Sequence, residues 1–338
     1  MQSTSAWTHA LAVTRPALAL ARPDYIERIA ANLRRAGVQA AVAAHDTPAI
    51  FDHLVSLLSL QGISDRVAFA WDAEHGGITW AAIEASLAAP PRCPKLRCHW
   101  SFSGCGYRKS AMSCNAPALL PTCPLPRHDL RKGLLNRATH GLYLFIRDIC
   151  DGDLVAWLDS RLAQAAGVTP ARAVPAEADI AASGAVWACA VWPFIEVDGI
   201  SKKIAALSLT DLLLAGDPGR ATWVAAGAQA IVVDTLVHNF LCRSGILRRF
   251  NAEHAFGAPC YAPGGCAEIV RGLAQRFDAQ SVNRSFPSYF PRLVQEALWR
   301  FASSEVGVCN GLRIDDRYRC RNSDCPAYDD CDRVRLGR

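Results

Sequence analysis

The sequence predicts an all-α protein, and three observations carry that prediction. Apolar residues recur at helical spacing through most of the chain. Helix starts and stops are punctuated by Ser, Thr, Asp, Pro and Gly where helix ends need them. Strand-like and helix-like segments do not alternate regularly, which argues against a parallel α/β sheet.

The elements follow in order. Thr47 reads as an N-cap with Pro48 at the first helical position, and Ile50, Leu54, Leu57 and Leu58 share a face. That helix stops near Gln61-Gly62. Ser64 caps the next, which ends at Gly76-Gly77, and Thr79 caps a third through about Leu87, before Pro90-Pro91. Residues 91–128 hold Cys93, Cys98, Cys105, Cys114 and Cys123 with several prolines and little periodicity, as expected of an irregular insertion ordered by a metal. Helical pattern resumes over about Leu130–Ile149, and Asp151-Gly152-Asp153 turns the chain into a helix reaching Ala166. Residues 167–184, rich in Ala, Pro and Gly, read as a surface connection. Ile204–Ala215 is apolar nearly all round and so predicts a buried helix. A further helix is expected over Thr235–Arg243, followed by a loop at 251–267 that contains Cys260 and Cys266.

Composition bounds the function classes. The chain has 338 residues, long enough for one large domain or two ordinary ones, and a net charge of +5, compatible with a local nucleic-acid surface without requiring one. No stretch approaches the roughly 18 apolar residues of a membrane span. Fourteen cysteines are many for this length. The short apolar runs before Arg15 and Arg22 do not form the core of an export signal, so a reducing cytoplasm and metal-bound thiolates are expected rather than a disulfide framework.

Four cysteines close the chain: Cys309, Cys320, Cys325 and Cys331, spaced C-x10-C-x4-C-x5-C. Clustered thiolates of this kind hold a metal or an iron–sulfur cluster, and spacing alone does not choose between them. Upstream, Asp198-Gly-Ile-Ser-Lys-Lys-Ile-Ala205 combines a turn glycine with a helix start, where backbone N–H groups can hold a phosphate; judged alone, the segment reads better as a plain turn. Lys202 and Lys203 lie about 100° apart on a helix, so only one can face a given cleft. Asp234, after an apolar run and before a helix, is an N-cap or a catalytic charge in a partly dry cleft. His238, one turn later, reads as a packed or surface histidine.

Together these segments resemble the helix-hairpin-helix DNA glycosylase superfamily, nearest to its endonuclease III-like, iron–sulfur branch. The family's Leu-Pro-Gly-Val-Gly-x-Lys-Thr-Ala hairpin is similar to Gly199, Ile200, Ser201, Lys202, Lys203, Ile204 and Ala205, with Ser201 in place of a glycine and the catalytic lysine position on Lys203. Its Val-Asp-Thr motif resembles Val233, Asp234 and Thr235, and the Arg-Leu-Gly-like continuation resembles Arg243-Ser-Gly245. Its Leu-Leu-Ser-x-Gln segment resembles Leu57–Gln61, and its cluster loop, C-x6-C-x2-C-x5-C, is similar to the cysteine tail, whose first two intervals are longer. The Lys203–Asp234 interval is also longer than in the family, and the cysteine-rich block has no counterpart.

The resemblance implies two lobes. One is a helical barrel over 45–228 with the insertion at about 91–128. The other combines 1–44 with 229–338 and holds the cluster. It implies a monomer that flips a damaged or modified base out of double-stranded DNA and cleaves its N-glycosidic bond, with an AP-lyase step where the lysine acts as nucleophile. Lys203 and Asp234 would be catalytic. Gln61, Gly199, Ile200, Ser201 and Lys202 would contact DNA, and Cys309, Cys320, Cys325 and Cys331 would bind a [4Fe–4S] cluster. Cys93, Cys105, Cys114 and Cys123 form a second candidate set, for which zinc, a second cluster and free packed thiols all stand. The alternatives are a nucleic-acid-binding iron–sulfur protein without chemistry and, in role, an anti-phage glycosylase acting on a bulky modified cytosine.

Overall fold

The computed structural model describes residues 4–58, 65–88, 107–108, 113–114, 134–167, 185–197, 199–310 and 314–336. Gln61, Ser64, Asp198, the connection at 168–184, and Cys93, Cys98, Cys105 and Cys123 lie outside the described residues. Among the described residues the chain is helical, apart from a two-residue antiparallel ladder pairing Tyr107 with Cys114 and Arg108 with Ser113. The all-α expectation holds at that level.

Contacts divide the chain into two compact units, 26–227 and 1–25 with 228–338. The resemblance implies a first boundary at 44/45, whereas the contacts place it at 25/26. The helix at Val38–Ala43 packs on the helix that begins at Thr47, which draws residues 26–44 into the central unit.

The central unit contains α2 (Tyr25–Arg35), α3 (Val38–Ala43), α4 (Thr47–Leu58), α5 (Asp65–His75), α6 (Trp80–Ala88), α7 (Leu134–Ile149), α8 (Leu154–Ala165), α9 (Ala185–Ile195), α10 (Lys202–Ala215) and α11 (Ala221–Ala228). Helix α4 packs on α3, α6, α7 and α10, while α9 lies against α8 and α10. The expected buried helix is α10: ten of its residues, from Ile204 to Ala215, are buried. Its internal hydroxyls cost little because each bonds back along the helix, Ser208 to the Ile204 carbonyl at 2.9 Å and Thr210 to that of Ala206. Capping mostly follows the sequence. The Asp153 carboxylate accepts the Ala156 N–H at 2.9 Å, and the Thr79 hydroxyl that of Ala82 at 3.2 Å. Thr47 is the exception. Its hydroxyl accepts the Leu154 N–H at 3.2 Å, and Asp46 caps α4 through the Ala49 N–H at 3.1 Å.

The terminal unit contains α1 (Thr4–Leu18), α12 (Thr235–Arg243), α13 (Ile246–Arg249), α14 (Cys266–Ala274) and α15 (Pro291–Ala302), with a 3-10 turn at Ala258–Tyr261. Helices α1, α12 and α14 all pack on α15. Val13, Val237, Phe240, Leu241, Val270, Leu273, Leu298 and Phe301 form one core, on which Cys309, Cys325 and Cys331 also rest. No described helix is long and apolar enough to cross a membrane.

Candidate metal and catalytic centre

One nine-residue helix organises the chemistry of the terminal unit. Helix α12 starts at Thr235 because Asp234 adopts an extended backbone and its Oδ1 accepts the Val237 N–H at 3.0 Å. The capping expectation for Asp234 therefore holds, and the side chain is only half-buried. The residue before it is held as well: the Val233 N–H donates to the Tyr261 hydroxyl oxygen at 2.8 Å. Burial, chiefly, raises the Tyr261 phenol above its ordinary pKa, so it remains protonated at neutral pH.

One turn along α12, His238 is buried, 6% exposed, and is not simply packed among apolar side chains. It meets His254 and Cys260 from the 251–265 loop and Cys266 at the first turn of α14. The ligand atoms of all four lie within 4.8 Å of one another. Both cysteines are fully buried. The Cys260 thiol ionises well below its ordinary pKa because Cys266 donates a hydrogen bond to it, with His238 and the Gly257 N–H adding to the effect; Cys266 is held correspondingly high. The loop can close this tightly only because residue 265 is glycine. A Cβ there would fall 2.3 Å from the Pro259 carbonyl oxygen and 2.9 Å from that of Cys260. Among the described residues this is the group compact enough to hold a single metal ion.

The far end of α12 meets the cysteine tail. The Arg243 carbonyl accepts the Val334 N–H at 2.8 Å and the Cys331 thiol at 3.7 Å, while its guanidinium, 4% exposed, pairs with Asp316. Arg249 grips Asp332 through two bonds of 2.7 and 3.0 Å. The four tail thiols lie near enough to disturb one another. Burial drives Cys309 up to about 12, and the charges of Cys331, Cys325 and Cys320 add to that rise. Cys331 is pushed up to about 11 by burial, with Cys325 and Cys320 contributing. Backbone N–H groups of Asn322 and Arg333 point at the sulfurs of Cys320 and Cys331, at 3.5 and 3.4 Å. This donor set fits a thiolate-bound cluster: amide N–H groups aimed at sulfur stabilise thiolate charge in a buried site. No disulfide joins the described cysteines.

In the central unit, the sequence-predicted turn joins α9 to α10. Gly199 has φ +88°, a left-handed conformation that disfavours any side chain, and a Cβ there would stand 3.1 Å from Ala138 Cβ. Ile200 is buried beneath the turn, and the exposed Ser201 caps α10 through the Ile204 N–H at 3.4 Å. Ser201 thus has a local role as the cap of α10. Lys202 is exposed, with its ammonium 5.8 Å from the Trp192 ring centre, whereas Lys203 is half-buried. Trp192 is 58% exposed, unusual for so large an apolar surface. Gln61 and the 93–123 cysteines lie outside the described residues, apart from the backbone of Cys114.

Sequence reasoning missed the His238, His254, Cys260, Cys266 set. The available signal was H-x15-H-x5-C-x5-C, in which the first interval is too long to read as a compact finger. Comparison with known proteins adds no family: no family model matches the chain, and no curated protein or solved structure matches it significantly.

Proposed function

We propose that this chain is a DNA glycosylase that extrudes a damaged or modified base from duplex DNA and cleaves its N-glycosidic bond, with Asp234 as the catalytic carboxylate. One observation carries the reading. Helix α12 opens on a half-buried carboxylate, and its other end is tied to a loop that gathers four thiols. Carboxylate and cysteine loop follow the chain order of the family that the sequence resembles.

A base stacked in a duplex shields the bond to be cut, so the nucleotide must leave the stack, at a cost of a few kcal/mol that is least for a damaged or mispaired base. The turn at Gly199–Ser201 and the start of α10 suit the grip on an adjacent phosphate, which holds DNA without reading sequence. Lys202 and the exposed Trp192 ring beside it offer charge and a stacking surface to the same strand. As the base departs, the sugar gains oxocarbenium character. Asp234 stabilises that charge or takes a proton from the attacking water. Its Oδ1 is committed to the cap, so this work falls to Oδ2. Where a lyase step follows, the Lys203 amine adds to C1′ as the base leaves, giving a Schiff base and then strand scission. Cys309, Cys320, Cys325 and Cys331 would hold a [4Fe–4S] cluster, which supplies a clamp on the loop and no step of the reaction.

A second reading has its own support. The cap alone accounts for Asp234, so a nucleic-acid-binding iron–sulfur protein without chemistry uses every feature except the carboxylate's free oxygen. The deciding experiment incubates the purified protein with a panel of natural, damaged and modified duplexes and identifies freed bases by mass spectrometry. Base release is expected from at least one duplex, and borohydride trapping, if present, should vanish in Lys203→Gln. Salt-sensitive binding without any release would establish the second reading instead.

A further inference from the structure

We propose that His238, His254, Cys260 and Cys266 bind one zinc ion in a closed tetrahedral site that pins the 251–265 loop to α12 and α14. The donor set, two imidazoles and two thiolates, suits zinc. The spacing suits it quantitatively. Zinc–sulfur bonds of ~2.3 Å and zinc–nitrogen bonds of ~2.05 Å at tetrahedral angles require nitrogen–sulfur separations of ~3.5 Å. The observed separations are 3.4 Å from His238 Nδ1 to Cys266 Sγ, 3.5 Å from the same nitrogen to Cys260 Sγ, and 3.4 Å from His254 Nε2 to Cys266 Sγ.

Hydrogen bonding alone does not explain this arrangement. A ring nitrogen carries one proton or one lone pair, so His238 Nδ1 cannot make two good bonds to two sulfurs at nearly equal distances. A cation between the four atoms satisfies all of them. The outer contacts agree. His254 Nδ1 lies 2.5 Å from the Ala252 carbonyl oxygen, which accepts its proton and leaves Nε2 bare toward the sulfurs. That is the usual way in which a liganding histidine is oriented.

The site has four protein ligands, three of them buried, so it offers no position for a substrate and its role is structural. It also explains how a loop with little regular structure is held. Three of the ligands fall within 254–266, and the fourth anchors that stretch to α12. Adjacent to Cys260, Tyr261 bonds the backbone just before Asp234, while the His238 N–H bonds the Asp234 carbonyl at 3.0 Å. The zinc therefore clamps both flanks of Asp234. This positioning role rests on the glycosylase reading; the metal assignment does not.

The test is metal analysis of the full-length protein as purified, joined to zinc-edge X-ray absorption. About one zinc per chain, in a shell of two sulfurs and two nitrogens, is expected. His254→Ala should lose that zinc while keeping the iron of the tail. Absence of zinc, a four-sulfur shell, or a Cys260–Cys266 disulfide in peptide mapping would overturn the assignment. The absorption measurement needs only the unmodified protein, so a variant that fails to fold leaves the test intact. Base release plays no part in this readout, so failure here and failure of the glycosylase reading are separate results.

Discussion

Replacing Asp234 separates its capping role from the proposed catalytic one, because asparagine keeps the first and loses the second. In Asp234→Asn the side-chain oxygen can still accept the Val237 N–H now bonded at 3.0 Å, and asparagine caps helices as well as aspartate. What is lost is one negative charge at the start of α12, worth about 0.3–1 kcal/mol against the helix dipole. Asp234→Ala loses the cap as well, typically ~1 kcal/mol and up to ~2 kcal/mol. Thermal unfolding should therefore rank wild type, Asn and Ala in that order, with the Asn variant within a few degrees of wild type. Base release should not follow that ranking. A carboxylate that stabilises developing positive charge is irreplaceable by a neutral amide, and loss of one such electrostatic contact costs about 10²- to 10³-fold in rate. Both variants should be slowed by at least that factor under single-turnover conditions, while duplex binding by the Asn variant stays near wild type. If Asp234→Asn releases base at the wild-type rate, or if activity merely tracks melting temperature, the carboxylate is a cap and nothing more.

Two further outcomes test other parts of the structure. Gly199→Ala places a side chain at φ +88° and 3.1 Å from Ala138 Cβ, so it should destabilise the central unit by about 1–2 kcal/mol and weaken duplex binding; unchanged stability and affinity would show that the turn tolerates another geometry. Glu296 carries a pH dependence of stability. Burial raises its carboxyl to about 7, with Arg300 and Arg22 opposing the rise. The folded state therefore holds a proton that the unfolded chain releases near pH 4.5, so stability from this group is full below that pH and is lost as pH rises through about 7. The difference in melting temperature between Glu296→Gln and wild type should grow in favour of the variant over this window. A constant difference would place the carboxyl's titration elsewhere.

Local features of this protein could be read before its fold was known. The bounds of α12, the Asp234 cap, the buried character of α10 and the turn at Gly199 depend on neighbours within a few residues. Backbone propensity and short-range hydrogen bonding therefore determine them. Thr47 shows where such reading ends. Its hydroxyl has the right chemistry to cap its own helix, but Leu154, distant in sequence, offers it a different donor.

The sequence by itself determined that the chain is helical, where its main helices start, and that a four-cysteine tail follows the carboxylate of α12. Only the tertiary structure decided that His238 faces a second histidine and two cysteines and is not a histidine packed among apolar side chains. That outcome required the 251–265 loop to fold back across α12 and close beneath Gly265, bringing His254, Cys260 and Cys266 to one point. Linear spacing cannot encode such a meeting, because an irregular loop permits many paths between the same ligands. Packing against the core shared by α12, α14 and α15 selects one of them.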